Sequence, residues 1–143
     1  HVVDHRPKYA NLDRFRMADV VAHPPRERLV DAKAITKNSV AVVMNHNLEL
    51  DSLVLKELLA TKAAYIGVMG PKVRTEQMLT DIAASGVKIP ENSLKRLYGP
   101  VGLDIGATTP EGIALSILAE IQAVLSGRTG GFLKRRKGSI YGE

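Results

Sequence analysis

The sequence predicts an α/β domain in which a parallel sheet is flanked by helices, and three observations carry that expectation. SVAVVM at Ser39–Met44 and AYIGVM at Ala64–Met69 are continuous aliphatic runs of the kind buried on both faces of a parallel sheet. Each is followed by a helical pattern at the spacing of a strand–helix unit. Apolar residues make up 45% of the 143 positions, with only two Phe, four Tyr and no Trp, so one domain with an aliphatic core is expected.

Taken in order, His1–Asp4 reads as the end of a strand that runs into an acidic residue and is broken by His5-Arg6-Pro7. Asp19–His23 is a second short strand, stopped by Pro24-Pro25, and Arg26–Ala34 is expected to form a short helix with Leu29, Val30 and Ala34 inward. After the SVAVVM strand, Asn45-His46-Asn47 forms a loop and Asp51 is expected to cap a helix over Ser52–Leu59. The AYIGVM strand ends at Gly70-Pro71, and a helix from Pro71 to Ser85 turns Met78, Leu79 and Ile82 to the sheet, with Gly86 just past its end. Glu91–Leu97 is a short helical piece. The Gly-rich stretch Gly99–Gly106 leads to a strong helix capped by Thr109, in which Ile113, Ile117, Ile121 and Val124 recur, ended by Gly127. The domain is expected to occupy residues 1–127, and a basic flexible tail residues 128–143, where Lys134, Arg135, Arg136 and Lys137 follow Gly130-Gly131.

Composition excludes several function classes. With no cysteine there is no disulfide, no thiolate metal site and no Cys nucleophile. No run approaches the ~18 uninterrupted apolar residues of a membrane span, and a cytoplasmic protein is expected. The net charge is +5, but aromatic residues to stack on bases are scarce, so nucleic acid ranks low as a partner. No Walker, GxSxG or HExxH motif occurs, and four His with no Cys do not suggest a dedicated metal site.

Ligands of open parallel sheets bind beyond the carboxyl ends of the strands, which gives four places to look. Asp4 sits where dinucleotide folds bind a ribose, with His5 and Arg6 beside it. The first strand and Gly-rich turn of such a fold have no counterpart in residues 1–143, and a sheet lacking that strand is expected to associate, at least as a dimer. Asn45 and His46 supply hydrogen-bonding groups and one side chain that titrates near neutrality. Gly67, Gly70, Lys72 and Arg74 surround a turn into a helix start, a setting suited to a phosphate or another oxyanion. Gly102, Asp104, Gly106 and Thr108 form a loop that permits close backbone approach beside another helix start.

VVDHRP at Val2–Pro7, VVMNH at Val42–His46, YIGVMGPKVR at Tyr65–Arg74 and PVGLDIGATTPEGIALSILAEI at Pro100–Ile121 resemble the XdhC/CoxI family from Val2 to about Gly127. The chain departs from the family pattern at Asn45, where relatives often carry Thr, at Pro71, and at Gly112, where a second Glu is frequent. The resemblance implies the C-terminal, Rossmann-like domain of an accessory factor. Such factors bind the molybdenum cofactor, a molybdopterin, and assist its sulfuration and insertion into a xanthine dehydrogenase-like molybdenum hydroxylase. It also implies a homodimer, and a cofactor-binding chaperone rather than a catalyst. By the same resemblance Asp4, His46, Gly70 and the Gly102–Gly106 loop line the ligand crevice. The alternative is an NAD(P)-dependent oxidoreductase or nicotinamide-binding domain, which the position of Asp4 favours.

Overall fold

The computed structural model describes residues 1–140; Tyr141 to Glu143 of the expected tail lie outside the described residues. Its elements are β1 (Val2–Val3), β2 (Val21–Ala22), β3 (Val40–Val43), α1 (Leu48–Ala60), β4 (Tyr65–Val68), α2 (Lys72–Ala84), α3 (Glu91–Leu94), β5 (Leu97–Tyr98) and α4 (Pro110–Leu125). All strand pairs are parallel, as the α/β reading requires. β1 pairs with β2, with Val2 opposite Val21. β3 pairs with β4 (Val40 opposite Tyr65) and β4 with β5 (Ile66 opposite Leu97).

Alternation along β4 divides the molecule into layers. Ile66 and Val68 point to one face, where Leu55, Leu58 and Leu59 of α1 and Met78 and Ile82 of α2 complete a dry aliphatic core. Tyr65 points the other way, toward α4, where its hydroxyl donates to Glu120. Gly67 shares that face: a side chain there would lie 2.6 Å from a Val101 methyl and 2.9 Å from the Tyr65 ring. The ring of Tyr65 stacks on Tyr98, with centroids 4.6 Å apart.

Four expectations are corrected. Arg26–Ala34 forms only a 3-10 turn at Arg26–Arg28. The Asp31 carboxylate accepts from Lys33 N–H, and this local turn competes with helix. Asp51 does not cap α1; Asn47 does, its side chain accepting from Leu50 N–H at 2.8 Å. Leu97 is not helical but opens β5, a two-residue strand too short to show a period. Finally, the SVAVVM strand is not buried on both faces, since Val40 is 41% exposed and only Val43 is fully enclosed.

The strands lie in two parts, β1-β2 and β3-β4-β5. A cavity of about 500 Å³ lies between them, walled by Val3 on one side and Val40–Asn45 on the other, with Leu29, Ile35 and Leu58 in its lining. Among the described residues no helix is long and apolar enough to cross a membrane.

Candidate functional site

The carboxyl ends of β3, β4 and β5 lie side by side. Met69 N–H donates to Val43 O at 2.9 Å, and Val101 N–H donates to Val68 O at 3.0 Å. The turns after these strands, residues 44–47, 69–71 and 102–106, thus share one edge, the edge at which open parallel sheets bind ligands.

A buried carboxylate ties two of those turns together. Asp51, in the first turn of α1, is 1% exposed. It accepts from Asn45 Nδ2 at 2.9 Å and from the Arg74 guanidinium at 2.7 Å. Asn45 comes from the β3 turn and Arg74 from the first turn of α2, so Asp51 fixes both, and the charge of Arg74 is matched from within. The acidic residue inside the apolar stretch LELDSLVL was the signal for it, since a charge on a helix's buried face needs a partner. His46, next to Asn45, is exposed and forms no hydrogen bond or ion pair among the described residues.

At the β4 turn Gly70 adopts φ +118°, a conformation that favours glycine, and the Arg74 side chain lies where a Cβ would be. Pro71 precedes α2 and offers no side-chain cap, which leaves the first N–H groups of the helix facing the edge. Lys72 is exposed and sits 3.7 Å from Glu76, an i,i+4 pair of small energetic weight. Gly67 lies away from this cluster, within β4, where its lack of a side chain makes room for Val101 and Tyr65.

The third turn is anchored by α4. Glu120 Oε1 accepts from Gly102 N–H at 3.0 Å and from the Tyr65 hydroxyl at 2.5 Å. Burial, and then the Glu120 carboxylate, push the Tyr65 phenol far above its ordinary range, so it stays a donor. Ser116 Oγ donates to Leu103 O at 2.6 Å, and Leu103 N–H donates to Ser116 O. Gly102, at φ +111°, lies against Ser116 where no side chain would fit. Beyond this anchor Asp104, Ile105, Gly106 and Thr108 are exposed, and Thr109 caps α4 by accepting from Gly112 N–H at 3.2 Å, as expected. Glu120 went unread in the sequence because one Glu in ILAEIQAVL looks like an ordinary solvent-facing position.

Asp4 lies at the end of β1, across the cavity. Its carboxylate accepts from Arg6 N–H, Nε and Nη2 at 2.9, 2.9 and 2.8 Å. The Arg6 side chain holds the Asp4 carboxyl below its ordinary value. Arg6 also lies over the Tyr9 ring, 4.2 Å from its centroid. His5 Nδ1 is buried, 3.6 Å from Asp4, and has no hydrogen-bond partner among the described residues. The structure thus places Asn45, His46, Gly70, Lys72, Arg74 and the Gly102–Thr108 loop in or next to the turns that follow β3, β4 and β5, and Asp4 and His5 directly after β1. Among the described residues no three His, Cys, Asp or Glu side chains form a metal-holding group.

Comparison with known proteins agrees with this architecture. The model of the XdhC Rossmann domain matches residues 1–121. A probable xanthine dehydrogenase subunit of Bacillus subtilis (strain 168) is 34% identical over 120 residues, covering 84% of this chain and 34% of that protein. The uncharacterized protein YqeB of Escherichia coli (strain K12) is 30% identical over 106 residues, covering 74% of this chain and 19% of the relative. A crystal structure of a xanthine dehydrogenase from Bacillus halodurans superposes with a TM-score of 0.74 at 31% identity, covering 90% of this chain and 35% of that one. The chain spans at most about a third of the length of these relatives. It belongs to the XdhC family, of which it carries the Rossmann domain.

Proposed function

We propose that this chain is the cofactor-holding domain of an accessory factor, which binds molybdenum cofactor and assists its sulfuration and insertion into a xanthine dehydrogenase-like molybdenum hydroxylase. One observation supports it above the others: the uncapped start of α2, the positive-φ Gly70 and the exposed His46 stand on one strand edge. A molybdopterin carries a phosphate, and its nucleotide form a pyrophosphate. A turn whose backbone N–H groups are free at the positive end of a helix suits either. Lys72 adds a mobile positive charge beside that start.

In this reading the Gly70–Lys72 backbone holds the phosphate, Lys72 strengthens the attraction, and the Asp51 carboxylate keeps Asn45 and Arg74 in place below. Arg74 acts by positioning, because its guanidinium is already engaged. His46 offers one ring nitrogen as acceptor and one N–H as donor toward the pterin. The metal arrives within its organic cofactor, so the protein need only hold the organic part; once bound, the cofactor supplies the oxo or sulfido chemistry of the client. The chain then serves as a chaperone rather than a catalyst, with the molybdoenzyme as its partner and a homodimer as its assembly.

A nicotinamide-binding domain is the second reading, favoured by Asp4 at the end of β1, the ribose position. Arg6 already fills that carboxylate with three hydrogen bonds, which weighs against it. Anaerobic equilibrium binding separates the two. The expected result is molybdenum-cofactor binding weakened at least about tenfold by His46→Ala or Lys72→Gln, with no binding of NAD or NADH. Both replaced residues are exposed, so neither variant endangers the fold. Binding of NAD alone would overturn the proposal.

A further inference from the structure

The net charge of the chain is +5, and four of its positive charges are adjacent at Lys134, Arg135, Arg136 and Lys137, so the remainder is close to neutral. Among the described residues none of these four forms an ion pair. The segment that carries them is rooted in the fold. Gly127 N–H donates to Val124 O and Arg128 N–H to Ala123 O, which closes α4. A side chain at Gly130 would lie 2.9 Å from both Leu103 methyl groups, so past α4 the chain folds back to the anchor of the third turn. Four residues span at most ~14 Å, which keeps Lys134 within that distance of Gly130. Beside the cations stand three large apolar side chains that the core does not take up: Phe132, Leu133 and Ile140, exposed at 69%, 66% and 57%. Lys134 Nζ and the Arg135 guanidinium lie 5.6 and 5.2 Å from the Phe132 ring centroid. Arg136 Nη1 donates to Ile140 O at 3.1 Å, so both apolar ends are held next to the charges.

We infer that residues 132–140 form a docking surface for an anionic lipid layer, on which Phe132, Leu133 and Ile140 enter the headgroup region and the four cations meet the lipid anions. Clustered Lys and Arg beside exposed apolar side chains are the pattern by which segments that do not span a bilayer lie on one. The local backbone favours a fluid surface over a folded partner. Leu133–Arg135 is a 3-10 turn, whose three residues per turn send successive side chains in different directions. Mobile headgroups can gather around cations dispersed in this way, whereas the fixed carboxylates of a protein would have to be arranged in advance. A nucleic-acid strand offers bases to stack, and Phe132 is the single aromatic ring between residues 132 and 140. The inference concerns where the domain docks and stands whether or not molybdenum cofactor is the ligand of the carboxyl edge.

Sedimentation of the full chain with vesicles of phosphatidylserine mixed with phosphatidylcholine, against vesicles of phosphatidylcholine alone, tests it. Each Lys or Arg near an anionic leaflet raises affinity about fivefold. Lys134→Gln, Arg135→Gln and Lys137→Gln together, all at exposed positions, are therefore expected to weaken binding to the mixed vesicles at least about thirtyfold. The charge-keeping set Lys134→Arg, Arg135→Lys and Lys137→Arg should stay within about twofold of the parent. Phe132→Ser with Leu133→Ser should lose about tenfold, because the apolar contribution is removed and the charges are kept. Circular dichroism confirms that each variant is folded. Absence of binding to the mixed vesicles, equal binding to both kinds, or an undiminished glutamine variant would overturn the lipid assignment. So would full binding by the serine variant, since charge alone would then suffice. Tighter binding to poly-glutamate or to a single-stranded oligonucleotide than to the mixed vesicles would transfer the surface to a protein or a nucleic acid, and overturn it equally.

Discussion

Replacing Asp51 by Ala tests whether the carboxyl edge is held from beneath. The side chain is 1% exposed and engages Arg74 at 2.7 Å and Asn45 at 2.9 Å, so its removal strands a guanidinium and an amide together. Losing one member of a buried pair costs about 3–5 kcal/mol. The side chain of Arg74 keeps 21% of its surface in solvent and recovers part of its hydration, which places the loss near the lower bound, about 3 kcal/mol. With a urea slope of about 2 kcal/mol per molar, the unfolding midpoint should fall by roughly 1.5 M. The chain has no Trp, so far-ultraviolet circular dichroism is the probe. Asp51→Ala combined with Arg74→Met removes both charges and should recover most of the loss, because the second change abolishes the stranded cation. A single variant within about 0.5 kcal/mol of the parent, or strictly additive losses in the double-mutant cycle, would refute the reasoning.

Two further outcomes follow from the same contacts. Glu120→Ala leaves the Tyr65 hydroxyl and Gly102 N–H unpaired and should cost about 2–4 kcal/mol, whereas Glu120→Gln keeps an acceptor and should cost clearly less; amide exchange at Gly102 should accelerate only in the Ala variant. Arg6 favours the charged form of Asp4 in the folded chain, so the stability it confers is complete above the unfolded carboxylate value of 3.8 and is lost as pH falls through the lower folded value. The difference in urea midpoint between the parent and Arg6→Gln should accordingly shrink below pH 4, and a difference that grows there would count against the Asp4–Arg6 contact.

What could be read from residue order was whatever depends on local pattern. The aliphatic runs at 39–44 and 64–69, the Thr109 cap and the Gly86 and Gly127 endings each report on neighbours a few positions away, and each was found where expected. The contacts that organise the edge report on partners far along the chain: Asp51 with Arg74, 23 residues apart, and Tyr65 with Glu120, 55 apart. No periodicity encodes such pairs: by local pattern alone Asp51 reads as a cap and Glu120 as a solvent-facing position. Gly67 shows the same limit: it suits a ligand-facing turn by sequence, yet it makes room for Val101 and Tyr65 within the sheet.

The anchoring of the third turn bears on how this domain can diverge. α4 grips Gly102 and Leu103 through Glu120 and Ser116, and Thr109 fixes the far end at the helix start. Asp104, Ile105, Gly106 and Thr108 are exposed between these two fixed points. Their identities can drift without disturbing the fold, provided position 106, at φ +71°, remains tolerant of a left-handed backbone. Sequence change at 104, 105 and 108 therefore alters what the edge presents while leaving the scaffold that presents it intact.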